Sequence, residues 1–282
     1  MQIRGHDIGV CSWCLQAPDA RSLADKVRSF GLEHVQLSLI PLMALNEEAQ
    51  SNEIETLRAS GLKFTAGMLN FIGEDYSSIT SIRRTGGLVP DETWPSRRDF
   101  AFASIPLCQK VGLTKVSFHA GFIPSSRDPS YSKMVDRLGE FAQPFAEKGI
   151  MLLLESGQET ASELLQFLND LRVRNVQVNY DAANLILYGM GEPIEGIRTL
   201  GRHVQHVHIK DAIPNEKPGI LWGQEVPFGT GRVNPSRLLK TLEEVGYTGP
   251  LVIERESAGE RPADIRAAIE ALSSANGAQA HG

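Results

Sequence analysis

Four short apolar runs in this chain each end in a carboxylate or an imidazole. They are MLLLE at Glu155, VQVNYD at Asp181, VQHVH at His208 and PLVIE at Glu254. Desolvating an unpaired carboxylate costs several kcal/mol, so a charge closing a buried run needs a partner. Any one of these residues could cap a helix or pair with a nearby cation. Two glutamates, an aspartate and a histidine together make a ligand set for one divalent cation, because a metal is the usual way to hold clustered buried carboxylates. Oxygen-rich ligation with one nitrogen suits Mn or Mg, and Zn or Co are also admissible.

These residues meet only if the runs are neighbouring parallel strands. Strand-like runs cover residues 7–12, 34–38, 64–69, 114–118, 151–154, 176–180, 204–209 and 251–253. Between them lie longer segments of helical period, such as 22–30, 48–59, 134–147 and 236–245, each with a Gly close to its end. Eight strands with intervening helices predict an α/β fold, a single (β/α)8 TIM barrel over residues 1–282. A doubly wound sheet is disfavoured because no GxGxxG opens a helix after the first strand. The Gly- and Ala-bearing tail, after about residue 272, is expected to be loosely ordered. Active sites of such barrels sit at the C-terminal ends of the strands, where the four residues fall. The segments 70–94 and 211–231 read as long polar loops suited to binding or lid roles.

Composition sets the outer limits. The chain has 282 residues, 41% hydrophobic and 22% charged, with a net charge of −6. That suits one sizeable globular core. An acidic balance, with pI near 5.7, argues against nucleic-acid or anionic-membrane partners. No apolar stretch approaches a membrane span and the first residues carry no signal-peptide core. Three cysteines are too few for a disulfide framework, so a reducing cytoplasm is expected.

The motifs now carry a resemblance. HVHIKDA (residues 206–212) resembles the HxHxKD strand of the xylose-isomerase-like TIM-barrel superfamily of sugar isomerases and epimerases. VPFGTGRVNPSRLLKTLEEVGYTGPLVIERE (226–256) resembles that family's closing segment. DAANL (181–185) looks like the DxxNL of L-ribulose-5-phosphate 3-epimerases. The second half of the chain carries these motifs, in the family's order. The resemblance implies that Glu155, Asp181, His208 and Glu254 bind one Mn, Mg, Zn or Co ion, with Glu155 and Glu254 doubling as acid and base. It implies a small-molecule sugar or sugar phosphate as substrate, and barrels of this kind often pair as homodimers. Tagatose-type 3-epimerases carry a His where this chain has Asn184, which leans away from a free-ketose enzyme of that type.

Alternation along the strand puts His206, His208 and Lys210 on one face. His208 is read as the ligand, and His206, a pleat deeper, as a core histidine. Glu254 directly ends its run and is preferred to Glu256, which is expected to pair with Arg255 or Arg261. Further substrate contacts are expected from His119, Lys210, Trp13, Asn184 and Arg232, with Trp222 and Pro227 over the sugar face. Each has a plainer alternative: a structural histidine, a salt bridge, core packing, an exposed loop. The lone Cys11–Cys14 CxxC lacks a second pair for zinc.

The expected chemistry is proton removal next to a carbonyl, giving an enediolate that a divalent ion stabilises. Proton return to the other face gives an epimer, return to the adjacent carbon an isomer. Loss of a β-hydroxyl instead makes the protein a dehydratase of inosose-dehydratase type. A phosphodiesterase of the same superfamily would want a His-rich cluster and a basic groove, against seven His and an acidic pI. A metal-free sugar-binding module is the remaining option.

Overall fold

In the computed structural model, which describes residues 1–257 and 259–277, eight parallel strands close into a barrel with helices around it. The strands are β1 (His6–Cys11), β2 (His34–Ser38), β3 (Lys63–Met68), β4 (Lys115–Phe118), β5 (Met151–Glu155), β6 (Val176–Asp181), β7 (Val204–Ile209) and β8 (Leu251–Ile253). β1 pairs with both β2 and β8, which closes the ring. Parallel strands covered on both faces read as near-continuous apolar runs, as MLLL of β5 does. Each strand begins and ends within one residue of the run seen in the sequence.

Several helices start on side-chain caps. Asp19, Asn46 and Asn234 each accept a backbone N–H of the first helical turn, and Thr160 forms a capping box with Glu163. Register then sets the levels of the barrel interior. Glu155 on β5 lies beside Asn179 on β6, and Asp181 on β6 beside His208 on β7.

Two segments are more ordered than their polar composition predicts. Residues 70–94 contain the helix Ile79–Thr85, whose N-cap Ser78 accepts from Ser81 N. Residues 211–231 contain an antiparallel ribbon, Asp211–Ile213 against Gln224–Val226. The final helix runs over Arg261–Gly277, past the point where the tail was expected to loosen, because Leu272 and Ala275 are buried. Residues 278–282 of that tail lie outside the described residues. Among the described residues, no helix is long and apolar enough to cross a membrane.

The buried carboxylate of Asp211 organises the loop after β7. It accepts N–H groups from Gly229 at 3.0 Å, Gly231 at 2.8 Å and Val233 at 2.8 Å. Gly231 is obligatory there, since a Cβ would sit 2.3 Å from Asp211 Oδ1. Asp211→Ala would strand these donors, of which that of Val233 is fully buried. We expect it to lower stability by ~3–5 kcal/mol, read in urea melts. A loss under about 1 kcal/mol, an ordinary surface value, would mean the loop holds itself.

Candidate active site

The C-terminal ends of β5 to β8 bring Glu155, Asp181, His208 and Glu254 together. One ligand atom from each lies within 4.8 Å of the others, and all four residues are buried. His208 Nδ1 is central: it stands 3.3 Å from Glu254 Oε2, 3.5 Å from Glu155 Oε1 and 3.6 Å from Asp181 Oδ2. The other ring nitrogen, Nε2, donates to Gln36 Oε1 at 2.6 Å, which turns Nδ1 toward the carboxylates. His208 Nδ1 and Asp181 Oδ2 are both buried without a hydrogen-bond partner. A buried polar atom left without a partner costs ~1–3 kcal/mol, so two of them in one carboxylate cluster fit a site where a cation replaces a proton. Asp181 also serves as a cap: Oδ1 accepts Asn184 N at 3.0 Å, starting the helix Ala182–Leu187. The capping and ligand readings of this residue use different oxygens.

Charge within the cluster is finely divided. Burial pushes the Glu254 carboxyl up, but the charges of Lys210 and His208 more than reverse this and hold it well below the usual range. Burial likewise opposes ionisation of Glu155, and His119 and His208 outweigh it. For Asp181 burial wins over Lys210, and its carboxyl is raised. Burial lowers the His208 imidazolium, but Glu254 and Glu155 lift it well above the ordinary histidine range. The cluster therefore favours positive charge at Nδ1, the position a metal would take from a proton.

Each glutamate is oriented from outside the cluster. Asn184 Nδ2 donates to Glu155 Oε1 at 3.0 Å, and His119 Nε2 lies 3.6 Å from the same oxygen. Gly157 makes room for this contact, since a Cβ there would fall 2.3 Å from Asn184 Cβ. Trp13 Nε1 donates to Glu254 Oε1 at 2.9 Å, and Lys210 Nζ donates to Glu254 Oε2 at 2.9 Å.

A cavity of about 350 Å³ opens beside the cluster, lined by His119, Glu155, Asn184, Lys210 and Trp222 from the expected set, and also by Tyr76, Leu187, Tyr188, Gly223, Glu225, Glu256 and Ser257. That volume is at the small end of ligand pockets. Its aromatic walls suit the C–H faces of a small polyol. His119 lines the cavity, and its Nδ1 is buried without a hydrogen-bond partner.

Four expected contacts differ. Trp13 is absent from the cavity lining and borders a neighbouring apolar groove; its indole N–H finds its acceptor in Glu254 instead. Arg232 is exposed and does not line the cavity, because its backbone N–H is tied to Ala212 O at 2.9 Å and its segment turns outward; Pro227 is also outside it. Glu256 pairs with Lys210 at 3.0 Å rather than with an arginine side chain, because Arg255 is taken by Glu225 and Asp264 at 2.8 Å each.

Beneath the cluster runs a polar layer, of which the sequence indicated only His206, as a core histidine a pleat deeper than the ligand. His206 Nδ1 donates to Asn179 Oδ1 at 2.8 Å, and His206 Nε2 meets Thr65 Oγ1 at 3.0 Å. Asn179 Nδ2 reaches Ser117 Oγ at 3.1 Å. Burial holds the His206 imidazolium well below the ordinary range, so it is a neutral core histidine. Cys11 Sγ lies 3.8 Å from His208 Nε2 and 3.6 Å from Gln36 Oε1, closer to the cluster than its CxxC spacing suggested. The available signal was a polar residue inside each buried run, Gln36 in HVQLS and Asn179 in VQVNYD.

Comparison with known proteins agrees with the barrel fold. A family described as xylose isomerase-like TIM barrel matches residues 23–275. The L-ribulose-5-phosphate 3-epimerase UlaE of Salmonella typhi is 26% identical over 209 residues, covering 66% of this chain and 71% of that protein. YihM of Escherichia coli (strain K12), an uncharacterized protein, is 25% identical over 162 residues, which cover 57% of this chain and 49% of YihM; the match spans about half of that relative. The crystal structure of a xylose isomerase domain protein from Planctomyces limnophilus superposes with a TM-score of 0.83 at 35% identity, covering 92% of this chain and 93% of that one.

Proposed function

The chain belongs to the xylose isomerase-like TIM-barrel family, and from that premise we propose that it is a divalent-metal-dependent epimerase or isomerase of a ketose or sugar phosphate. The observation that carries the reading is the cluster of four ligand atoms within 4.8 Å of one another, two of which, Asp181 Oδ2 and His208 Nδ1, are buried without a hydrogen-bond partner. Glu155, Asp181, His208 and Glu254 would hold the ion, which when bound stabilises negative charge developing on the substrate's carbonyl oxygen. Mn or Mg suits the oxygen-rich set.

The remaining work falls to side chains. Glu155 lines the cavity and is held by Asn184, so its carboxylate is placed to remove the proton next to the carbonyl. Glu254 follows β8, which is separated from β5 by the two strands β6 and β7. It reaches the cavity side through Lys210, whose ammonium touches both Glu254 and the cavity. Acid and base on different sides suit proton removal from one face and delivery to the other, hence epimerisation. The aromatic walls would keep bulk water from the carbanionic intermediate.

The decisive assay incubates metal-loaded protein with ketoses and their phosphates in deuterated solvent. Epimer or isomer formation, with deuterium at the carbon next to the carbonyl, is expected. A product that has lost water would make the protein a dehydratase, and conversion without exchange would end the enediolate reading.

Metal binding can be tested apart from turnover. At a free Mn concentration near one hundred times Kd, stability should rise by ~2.7 kcal/mol. That amounts to a thermal midpoint shift of roughly 5–10 °C for a chain of this size. Asp181→Asn should abolish most of the shift. No shift with Mn, Mg, Zn or Co would refute the site.

A further inference from the structure

We infer that this cavity selects an uncharged sugar over its phosphate ester, because the protein's own Glu225 already fills the anion-binding nest at its rim. The inference rests on the proposed sugar-converting role of the site and names which half of that substrate class it takes.

The nest is built as a phosphate site would be. Two successive backbone N–H groups, of Glu256 at 3.0 Å and Ser257 at 2.9 Å, point at the Glu225 carboxylate. The Ser257 hydroxyl donates to it at 2.9 Å, and the Arg255 guanidinium at 2.8 Å. Backbone N–H pairs, a serine hydroxyl and an arginine fork are the donors by which proteins hold phosphate. Here all four end on a carboxylate carried by the neighbouring ribbon strand Gln224–Val226, and both Glu225 and Ser257 line the cavity. An incoming phosphate would have to break the Arg255–Glu225 ion pair and leave the Glu225 carboxylate uncompensated beside it.

The cavity offers no substitute. Lys210 carries the ammonium that lines it, and among the described residues no arginine does. That ammonium is shared by Glu254 at 2.9 Å and Glu256 at 3.0 Å, with Asp181 at 3.8 Å. A phosphate dianion at the rim would meet the carboxylates of Glu155, Glu225 and Glu256. Placing like charges together costs affinity. A neutral polyol meets none of this, and its hydroxyls can both donate to these carboxylates and accept from Lys210.

The test titrates the metal-loaded full chain by calorimetry with matched pairs, D-fructose and D-fructose 6-phosphate, D-ribulose and D-ribulose 5-phosphate. The free sugar of a pair is expected to bind about tenfold or more tightly than its ester, and inorganic phosphate should not compete. In Glu225→Ala the nest is vacated, and the preference should move toward the ester by about tenfold. Glu256→Gln leaves the nest plugged and frees Lys210, so it should move the preference the same way by less. Equal or tighter binding of the ester by the wild type, competition by inorganic phosphate, or no binding of either free sugar would each overturn the inference. The wild-type comparison stands even if Glu225→Ala fails to fold. Solvent deuterium exchange is read in parallel. Free sugars that bind without exchange would sink the proposed reaction and keep the selectivity, whereas exchange confined to esters would do the reverse.

Discussion

Glu155→Gln and Glu254→Gln are each expected to lower turnover by ~10²–10⁴, the usual contribution of a general acid or base. Gln keeps an oxygen for the metal and removes the basic group, so metal binding should weaken less than turnover. The two variants should not be equal in stability. Both oxygens of Glu254 accept from strong donors, Trp13 Nε1 and Lys210 Nζ at 2.9 Å each, so an amide there must turn its NH2 toward one of them. Glu155 Oε1 accepts from Asn184 at 3.0 Å, but Oε2 meets only the longer contact from Asn179 at 3.4 Å. Its amide can face the weaker donor. Glu254→Gln should therefore lose more stability and more metal affinity than Glu155→Gln. The measurements are steady-state turnover, solvent deuterium incorporation and metal content for each variant. Two fully active variants would remove both glutamates from the chemistry.

Glu159→Gln should make the protein more stable in alkali and leave it nearly unchanged in acid. Glu159 follows β5 and is buried; burial pushes its carboxyl up to about 8, and the charge of Glu163 adds to this. A carboxyl whose folded pKa lies above its unfolded value binds the proton more tightly when folded. Its favourable contribution is fully present below the unfolded value of 4.5 and is lost as pH rises to about 8. At ~1.4 kcal/mol for each pH unit crossed, the loss over that window is on the order of a few kcal/mol. Gln keeps the shape and cannot ionise, so the variant should escape the loss. Urea melts at about pH 5 and about pH 9 read it directly. Identical pH dependence in both proteins would show that Glu159 ionises freely in the fold.

Much of this architecture was legible in the chain itself. Covered parallel strands must be apolar throughout, so runs such as MLLL and LVI announced themselves. A charge at the end of such a run stood out for the same reason, because burying it uncompensated is costly. That one rule picked out Glu155, Asp181, His208 and Glu254 before any geometry, and alternation along VQHVHIK separated the three polar residues of β7 from their apolar neighbours.

What the sequence left open were matters of register and reach. Whether four strand ends meet depends on the stagger of neighbouring strands around a closed ring, and no local pattern encodes it. Trp13, at the end of the first strand, and Arg232, at the end of the loop after the seventh, were drawn toward the sugar by residue type and place in the chain. The tertiary structure instead gave the indole N–H to Glu254 and left Arg232 outside, because a buried donor goes to the acceptor that packing brings near. Glu225 carried no signal at all, lying in a polar stretch between two recognisable motifs. Only the antiparallel ribbon after β7 lays that stretch against Ser257 and Arg255, where its carboxylate fills a nest made by residues some thirty positions away. Desolvation cost is a local property and is written in the order of residues, whereas hydrogen-bond partnership across the barrel mouth exists only once the ring has closed.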